Sequence, residues 1–267
     1  MRIRLAILLA ALLAVSLAAG PAAAAPQAGP RMTLDVWLER GAGKLWLTKR
    51  TIARTPSPVG AALRQLFHGP NAAERAAGVT TAIPAGTGLR GLALSNGSAI
   101  IDVTKTFATP ARATRIRMRL AELVYTATQF PTVKQVWLRV GGVRVNSIAG
   151  APVPQPAARA DFLRRLPAIL VSRPAIGARV PATVTVAGSA DVFEAALTVR
   201  VINARGRLLA RRHILASCGT GCRGRYSVSI RYTVLRRQPG TIVIFDNGGG
   251  AVAHPHVVRV PVKLSTP

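Results

Sequence analysis

Hydrophobic residues in this chain keep two different periods, and the change falls at one short stretch. Up to about residue 148, apolar positions recur both at helical spacing and in short alternating runs. The stretch 149–165 is rich in alanine and proline, with Pro152, Pro154 and Pro156 at every second position. Beyond Leu166 helical spacing does not return, and apolar residues alternate with polar ones. A 3.6-residue repeat buries one stripe of a helix and a two-residue repeat buries one face of a strand, so each pattern excludes the other element. A chain of 267 residues is long enough for two modest cores. The expected architecture is an α+β domain over 31–148, a Pro/Ala-rich linker over 149–165 and an all-β sandwich over 166–267.

Within the first segment, residues 33–38 and 45–52 are β-like runs joined by Gly41-Ala42-Gly43. Ser57 and Pro58 open a helix whose Val59, Leu63, Leu66 and Phe67 share a face, and Gly69-Pro70 stops it. Asn71 caps a short helix over 72–77, which Gly78 ends. Residues 89–94 and 99–103 flank Asn96-Gly97, a dipeptide suited to a two-residue hairpin turn. A long helix is expected over 111–129. Ile116, Leu120, Leu123, Val124 and Ala127 face inward, Arg112, Arg115 and Arg119 line its flank, and Glu122 points outward. Residues 133–140 and 143–148, joined by Gly141-Gly142, close the domain as strands. Trp37, Trp46 and Trp137 are assigned to core packing.

In the last segment, Val184 and Val186 form one alternating run, and Leu197, Val199 and Val201 another. Tyr226, Val228, Ile230 and Tyr232 alternate with Arg225, Ser227, Ser229 and Arg231. Residues 242–245 and the set Val258, Val260, Val262 and Leu264 bring the count to about seven strands, which fits an immunoglobulin-like sandwich.

The N-terminus has the layout of a signal peptide over residues 1–25. Arg2 and Arg4 precede an uncharged apolar run over 5–19, and Ala23-Ala24-Ala25 offers a cleavage site before Pro26. An uncleaved N-terminal anchor is the alternative. No later run approaches the ~18 apolar residues that a spanning helix needs. Cys218 and Cys222 are the only cysteines, so none follows the apolar run to carry a lipid, and the exported chain is not expected to be a lipoprotein. In an exported chain the two cysteines can close a disulfide, with Gly219 and Gly221 giving the loop freedom. So small a ring stabilises at the low end of the usual range.

Lys and Arg number 36 against 9 Asp and Glu, a net charge of +27. Such a charge favours polyanionic partners. Export sets nucleic acid aside and leaves an anionic wall polymer or a phospholipid surface. Compositional bias is the other reading of the charge. No acid occurs between Ala195 and Phe245. Arg205, Arg207, Arg211, Arg212, Arg223, Arg225, Arg231, Arg236 and Arg237 form the candidate polyanion-binding set, since guanidinium forks match phosphate. A solvated face that keeps the chain soluble is the alternative.

Catalysis finds little support. The acids are Asp35, Glu39, Glu74, Asp102, Glu122, Asp161, Asp191, Glu194 and Asp246. Asp191 and Glu194 are the one close pair, at a corner where turn capping is the natural role. There is no nucleophile elbow and no glycine-rich phosphate loop. His213 alone lies near the cysteines in sequence, His254-Pro255-His256 has no carboxylate or thiol nearby in sequence, and His68 sits at a helix end. No catalytic residue, metal or cofactor is expected.

Ala61-Ala62-Leu63 through Phe67-His68-Gly69-Pro70, followed by the run from Glu74-Arg75-Ala76-Ala77-Gly78 to Ile83-Pro84-Ala85-Gly86-Thr87, resembles the GerMN sporulation and spore-germination domain. Ile101-Asp102-Val103, Phe107 and Gln129-Phe130-Pro131-Thr132-Val133 continue that pattern. Pro174 to Gly177, Val184 to Gly188, Asp191 to Ala195 and Cys218-Gly219-Thr220-Gly221-Cys222 resemble the immunoglobulin-like domain of bacterial spore germination. The resemblance implies a non-enzymatic protein of the bacterial envelope, with a binding or scaffolding role at the wall. Two other readings stay open: an assembly subunit that packs on itself or on an envelope or membrane complex, and a wall-acting hydrolase whose acids would converge from both domains.

Overall fold

In the computed structural model, residues 29–41, 43–246, 248 and 256–266 are described. The signal peptide expected over 1–25, Ala42 of the first turn, and His254 and Pro255 lie outside them.

β1 (Arg31–Arg40) pairs antiparallel with β2 (Leu45–Ala53), and β3 (Val79–Thr80) joins the other side of β1. α1 (Pro58–His68) buries Val59, Leu63 and Leu66 against this sheet. Ser57 stands at its N-cap, but its side chain makes no capping hydrogen bond, and Pro58 supplies the helical start. α2 (Ala72–Ala76) carries the full reciprocal cap, in which Asn71 Oδ1 accepts from Glu74 N and Glu74 Oε2 accepts from Asn71 N. β4 (Leu89–Ser95) and β5 (Ser98–Val103) form a hairpin. Asn96 and Gly97 both take left-handed backbone at its turn (φ 46° and 74°). A 3-10 turn over Lys105–Ala108 then leads to α3 (Ala113–Ala127), which crosses back so that β6 (Gln135–Val140) lies parallel to β5.

The strand expected over 143–148 divides. β7 (Val143–Arg144) continues the sheet beside β6, whereas β8 (Ser147–Ile148) pairs with β9 (Ala151–Pro152). Ala149 and Gly150 adopt left-handed backbone between them (φ 47° and 78°) and reverse the chain. The proline-rich stretch beyond is packed against the first domain. Ala151, Val153, Ala157 and Phe162 are buried. The Gln155 amide imitates a strand: its Oε1 accepts from Leu138 N at 3.0 Å, and its Nε2 donates to Leu138 O and Val145 O. Ala157 exchanges both backbone hydrogen bonds with Val136 at 2.8 Å. A 3-10 segment over Arg159–Arg165 then packs along α3.

The second domain is a sandwich of two sheets. One holds β10 (Ile169–Arg173), β12 (Thr183–Ala190) and β15 (Gly224–Arg231), in that order. The other comprises β11 (Arg179–Val180), β13 (Ala196–Asn203), β14 (Leu208–Leu215), β16 (Gln238–Phe245) and β17 (Val257–Leu264). Its order is β11-β17-β16-β13-β14, so β14 and β15 are rim strands. Val184, Val186 and Ile230 face Leu197, Val199, Val201, Ile242 and Val260 across the core. Tyr226 donates its hydroxyl to Leu170 O at 3.1 Å, and it passes where Gly188 has no side chain.

Strand register gives the sandwich two distinct ends. The pairs Phe245↔Val257 and Ile169↔Ala190 mark the end that meets the first domain. There Arg40 lies over the Trp46 ring at 4.4 Å and donates to Ala77 O and Arg259 O, both at 2.9 Å. Lys44 Nζ donates to Arg164 O at 2.9 Å. Buried apolar residues of both domains belong to one continuous cluster. The pairs Asn203↔Gly240 and Thr183↔Arg231 mark the opposite end.

Candidate functional site

The acids do not converge on a reaction centre. Glu74, buried by α2, holds Arg50 through two hydrogen bonds of 2.6 and 2.7 Å while it caps its own helix. Arg50 also reaches Gly69 O. The Gly69-Pro70-Asn71 and Glu74 part of the distinctive run is therefore a structural knot. Asp35 pairs with Lys49 at 2.6 Å, Asp102 with Arg90 at 3.2 Å, and Glu39 with Arg115 at 3.7 Å. Asp161 accepts from Ala158 N. Asp191 and Glu194 serve a corner: Asp191 Oδ1 accepts from Gly221 N at 3.1 Å, and Glu194 N contacts Thr220 Oγ1 at 2.9 Å.

α3 departs from the sequence reading at two positions. Glu122 is fully buried rather than outward, and Arg119 is 2% exposed rather than flanking. Every residue from Met118 to Ala127 is buried, because β1, β2, α1, β6, β9 and the 3-10 segments surround the helix and leave its second half no outer face. Glu122 accepts from Thr81 Oγ1 at 2.6 Å and from Ala82 N at 2.9 Å. Burial pushes its carboxyl up to about 8; the bonds from Thr81 and Ala82 oppose this, the Glu39 carboxylate adds to it, and Arg115 opposes it. Arg119 donates to Ala82 O at 3.3 Å, to Thr109 O at 3.1 Å and to Phe107 O. Burial lowers its pKa first, and Arg115 lowers it further. The two side chains tie the segment after β3 to the segment before α3. A neighbouring cleft of about 440 Å³ exposes Glu39, Arg112, Arg115 and Arg165. Among the described residues no group of three or more His, Cys, Asp or Glu is placed to hold a metal.

Cys218 and Cys222 form a disulfide with Cα atoms 5.8 Å apart. The loop sits at the end of the sandwich that meets the first domain. Thr220 N donates to Val192 O, and a Cβ at Gly219 would lie 2.3 Å from Ala195 N. Gly221 does need its freedom (φ 92°), whereas Gly219 is required by close approach. Arg223 turns inward beside this loop and donates to Pro167 O at 2.6 Å and to Ser189. It is thereby separated from the other eight arginines of the candidate set.

Those eight are exposed. Arg211 and Arg212 lie on rim strand β14, and Arg225 and Arg231 on rim strand β15, which runs close by. Arg205, Arg207 and Arg236 line a cleft of about 420 Å³ at the end remote from the first domain, with Thr233, Leu235 and Gln238, and Arg237 adjoins it. Among the described residues none of the eight meets a carboxylate. His213 contacts Thr198 at 3.0 Å, away from the cysteines, and His256 pairs with Asp246 at 2.8 Å. Trp137 is only half-buried, beneath the Arg144 guanidinium at 4.3 Å.

Residues 41–146 match the family described as sporulation and spore germination (Germane), and residues 168–251 match the immunoglobulin-like domain of bacterial spore germination (Gmad2). The chain pairs a GerMN domain with a spore-germination immunoglobulin-like domain. The first GerMN domain of the sporulation protein GerM from Bacillus subtilis overlaps 49% of this chain and 99% of its own, at 19% identity and a TM-score of 0.42. The tandem GerMN domains of that protein overlap 88% of this chain and 61% of theirs, at 13% identity and a TM-score of 0.43. No curated protein matches the chain. The assignment rests on the two family matches, whose descriptions name a process and a fold and no reaction. Among the described residues no helix is long and apolar enough to cross a membrane.

Proposed function

We propose that this GerMN and immunoglobulin-like pair is an exported, non-catalytic binding component of the bacterial envelope, whose basic sandwich holds an anionic polymer or phospholipid surface. The carrying observation is the placement of Arg211, Arg212, Arg225 and Arg231 on two neighbouring rim strands, exposed and without a carboxylate partner among the described residues. Some arginines elsewhere in the molecule are engaged internally, Arg50 on Glu74, Arg119 and Arg159 on backbone carbonyls and Arg223 on Pro167 O, while others such as Arg64, Arg117 and Arg139 are exposed like the rim set. The rim arginines therefore keep their full capacity for phosphate or carboxylate ligands. The basic n-region, apolar run and alanine-rich site before Pro26 support export. The engagement of every acid but Glu194 by a cation, a hydroxyl or a backbone N–H supports a non-catalytic role.

The test is retention of the mature chain, from Pro26 onward, on purified wall sacculi. Strong retention at low salt and release at high salt are expected, because exposed charge pairs are screened within about 10 Å at 0.1 M salt. Combined Arg211→Ser, Arg212→Ser, Arg225→Ser and Arg231→Ser should weaken retention at least tenfold. Failure to bind sacculi and anionic vesicles at low salt, or binding indifferent to salt, would overturn the reading.

A further inference from the structure

The end of the sandwich remote from the first domain combines charge with an unusual apolar exposure. The turn between β15 and β16 lifts Leu235 to 98% exposure, and Arg236 and Arg237 follow it directly. The turn between β13 and β14 carries Arg205 and Arg207 and leads into Leu208, which is 47% exposed. Both turns line the same cleft. Each is also held in place. Asn203 Oδ1 accepts from Arg205 N and Arg207 N, both at 3.0 Å. At the foot of the other turn, Tyr232 donates its hydroxyl to Val180 O at 2.9 Å and accepts from Ser265 N.

A tight turn is normally polar, since a leucine placed there leaves its whole side chain in water. Here that leucine rises from a ring of guanidinium groups. An apolar tip with a basic collar fits the boundary of an anionic bilayer, where the tip leaves water and the collar meets lipid phosphates. A hydrated wall polymer offers Leu235 no apolar phase. We propose that the end of the sandwich formed by turns 203–207 and 232–237 docks on an anionic phospholipid bilayer. Leu235 enters the headgroup layer, and Arg205, Arg207, Arg236 and Arg237 hold lipid phosphates. This rests on the reading of the basic sandwich as an anion-binding part, and it names the anion. The first domain packs on the opposite end, so it leaves this one open.

The experiment is co-sedimentation of the mature chain with phosphatidylcholine vesicles, with and without phosphatidylglycerol, alongside the sacculus assay. Binding only to the phosphatidylglycerol vesicles is expected. Leu235→Ser should weaken that binding roughly tenfold, as loss of one buried leucine implies, and leave sacculus retention unchanged. Arg205→Ser with Arg207→Ser, and Arg236→Ser with Arg237→Ser, should each weaken it and reduce its salt dependence. Because Leu235 is almost wholly in solvent, its replacement does not disturb the core. Equal binding to both vesicle types, or undiminished binding by Leu235→Ser, overturns the inference. Retention on sacculi without any vesicle binding also overturns it while leaving the anion-binding reading intact. Loss of both sinks the two together.

Discussion

Glu122 and Arg119 hold a loop by its backbone, and this explains both their burial and their silence in the sequence. Apart from the Thr81 hydroxyl, their partners are the N–H and C=O of Ala82 and the carbonyls of Phe107 and Thr109, groups that every residue carries and no side-chain pattern marks. The apolar face of α3 was legible from Ile116, Leu120, Leu123, Val124 and Ala127; the fact that other elements close over the remaining faces was not. Glu122 gives a pH signature. In the unfolded chain its carboxyl titrates near the ordinary 4.5, and in the folded protein near 8. Folding therefore takes up a proton between those values. Its contribution is complete below about 4.5 and is lost as pH rises toward 8, with a slope of up to ~1.4 kcal/mol per pH unit. Glu122→Gln should remove that slope, so the variant gains on the parent from pH 5 to pH 8 in urea denaturation. Arg50 behaves differently. Arg50→Ala leaves the Glu74 carboxylate buried without its counter-ion and should cost about 3–5 kcal/mol in the same assay. The Asn71 and Glu74 half of that knot follows from capping-box spacing, whereas Arg50 arrives from a strand 24 residues earlier.

At the scale of elements, hairpins and caps were the readable parts because local chemistry specifies them. Asn96-Gly97 makes its turn, Gly78 ends α2 with a φ of 78°, and the alternation from Arg225 to Arg231 becomes β15. The split of 143–148 was not readable, since it depends on Ala149 adopting left-handed backbone, which alanine rarely does. Nor was the role of Gln155, whose amide replaces a strand beside Leu138. The cysteine loop shows how two constraints divide the work. Closing a five-residue ring restricts the unfolded chain modestly, so Cys218→Ser with Cys222→Ser should cost about 2 kcal/mol. Gly219→Ala should cost more, because its new Cβ meets the backbone of Ala195 and Val192 with no flexible atom to yield. Guanidinium denaturation of the two variants checks the ranking.

For the whole molecule, the change of hydrophobic period separated an α+β part from a β part, and the structure has both. How the two parts meet could not be read, since Arg40 crosses the junction to a backbone carbonyl, that of Arg259. The continuous apolar cluster implies a single thermal transition for the intact protein. Arg40→Ala removes the links to Ala77 and Arg259, and calorimetry should then show the transition broaden or split in two. The position of β14 at the rim of its sheet has another consequence. Among the described residues one row of its backbone donors and acceptors is hydrogen-bonded to no other strand, which is a template for unwanted growth of the sheet through a second molecule. Arg211 and Arg212 make two such rims repel, so they act as guards of colloidal behaviour as well as candidate ligands. Lysine, which keeps the repulsion and removes the phosphate-matching fork, is the replacement that separates the two duties.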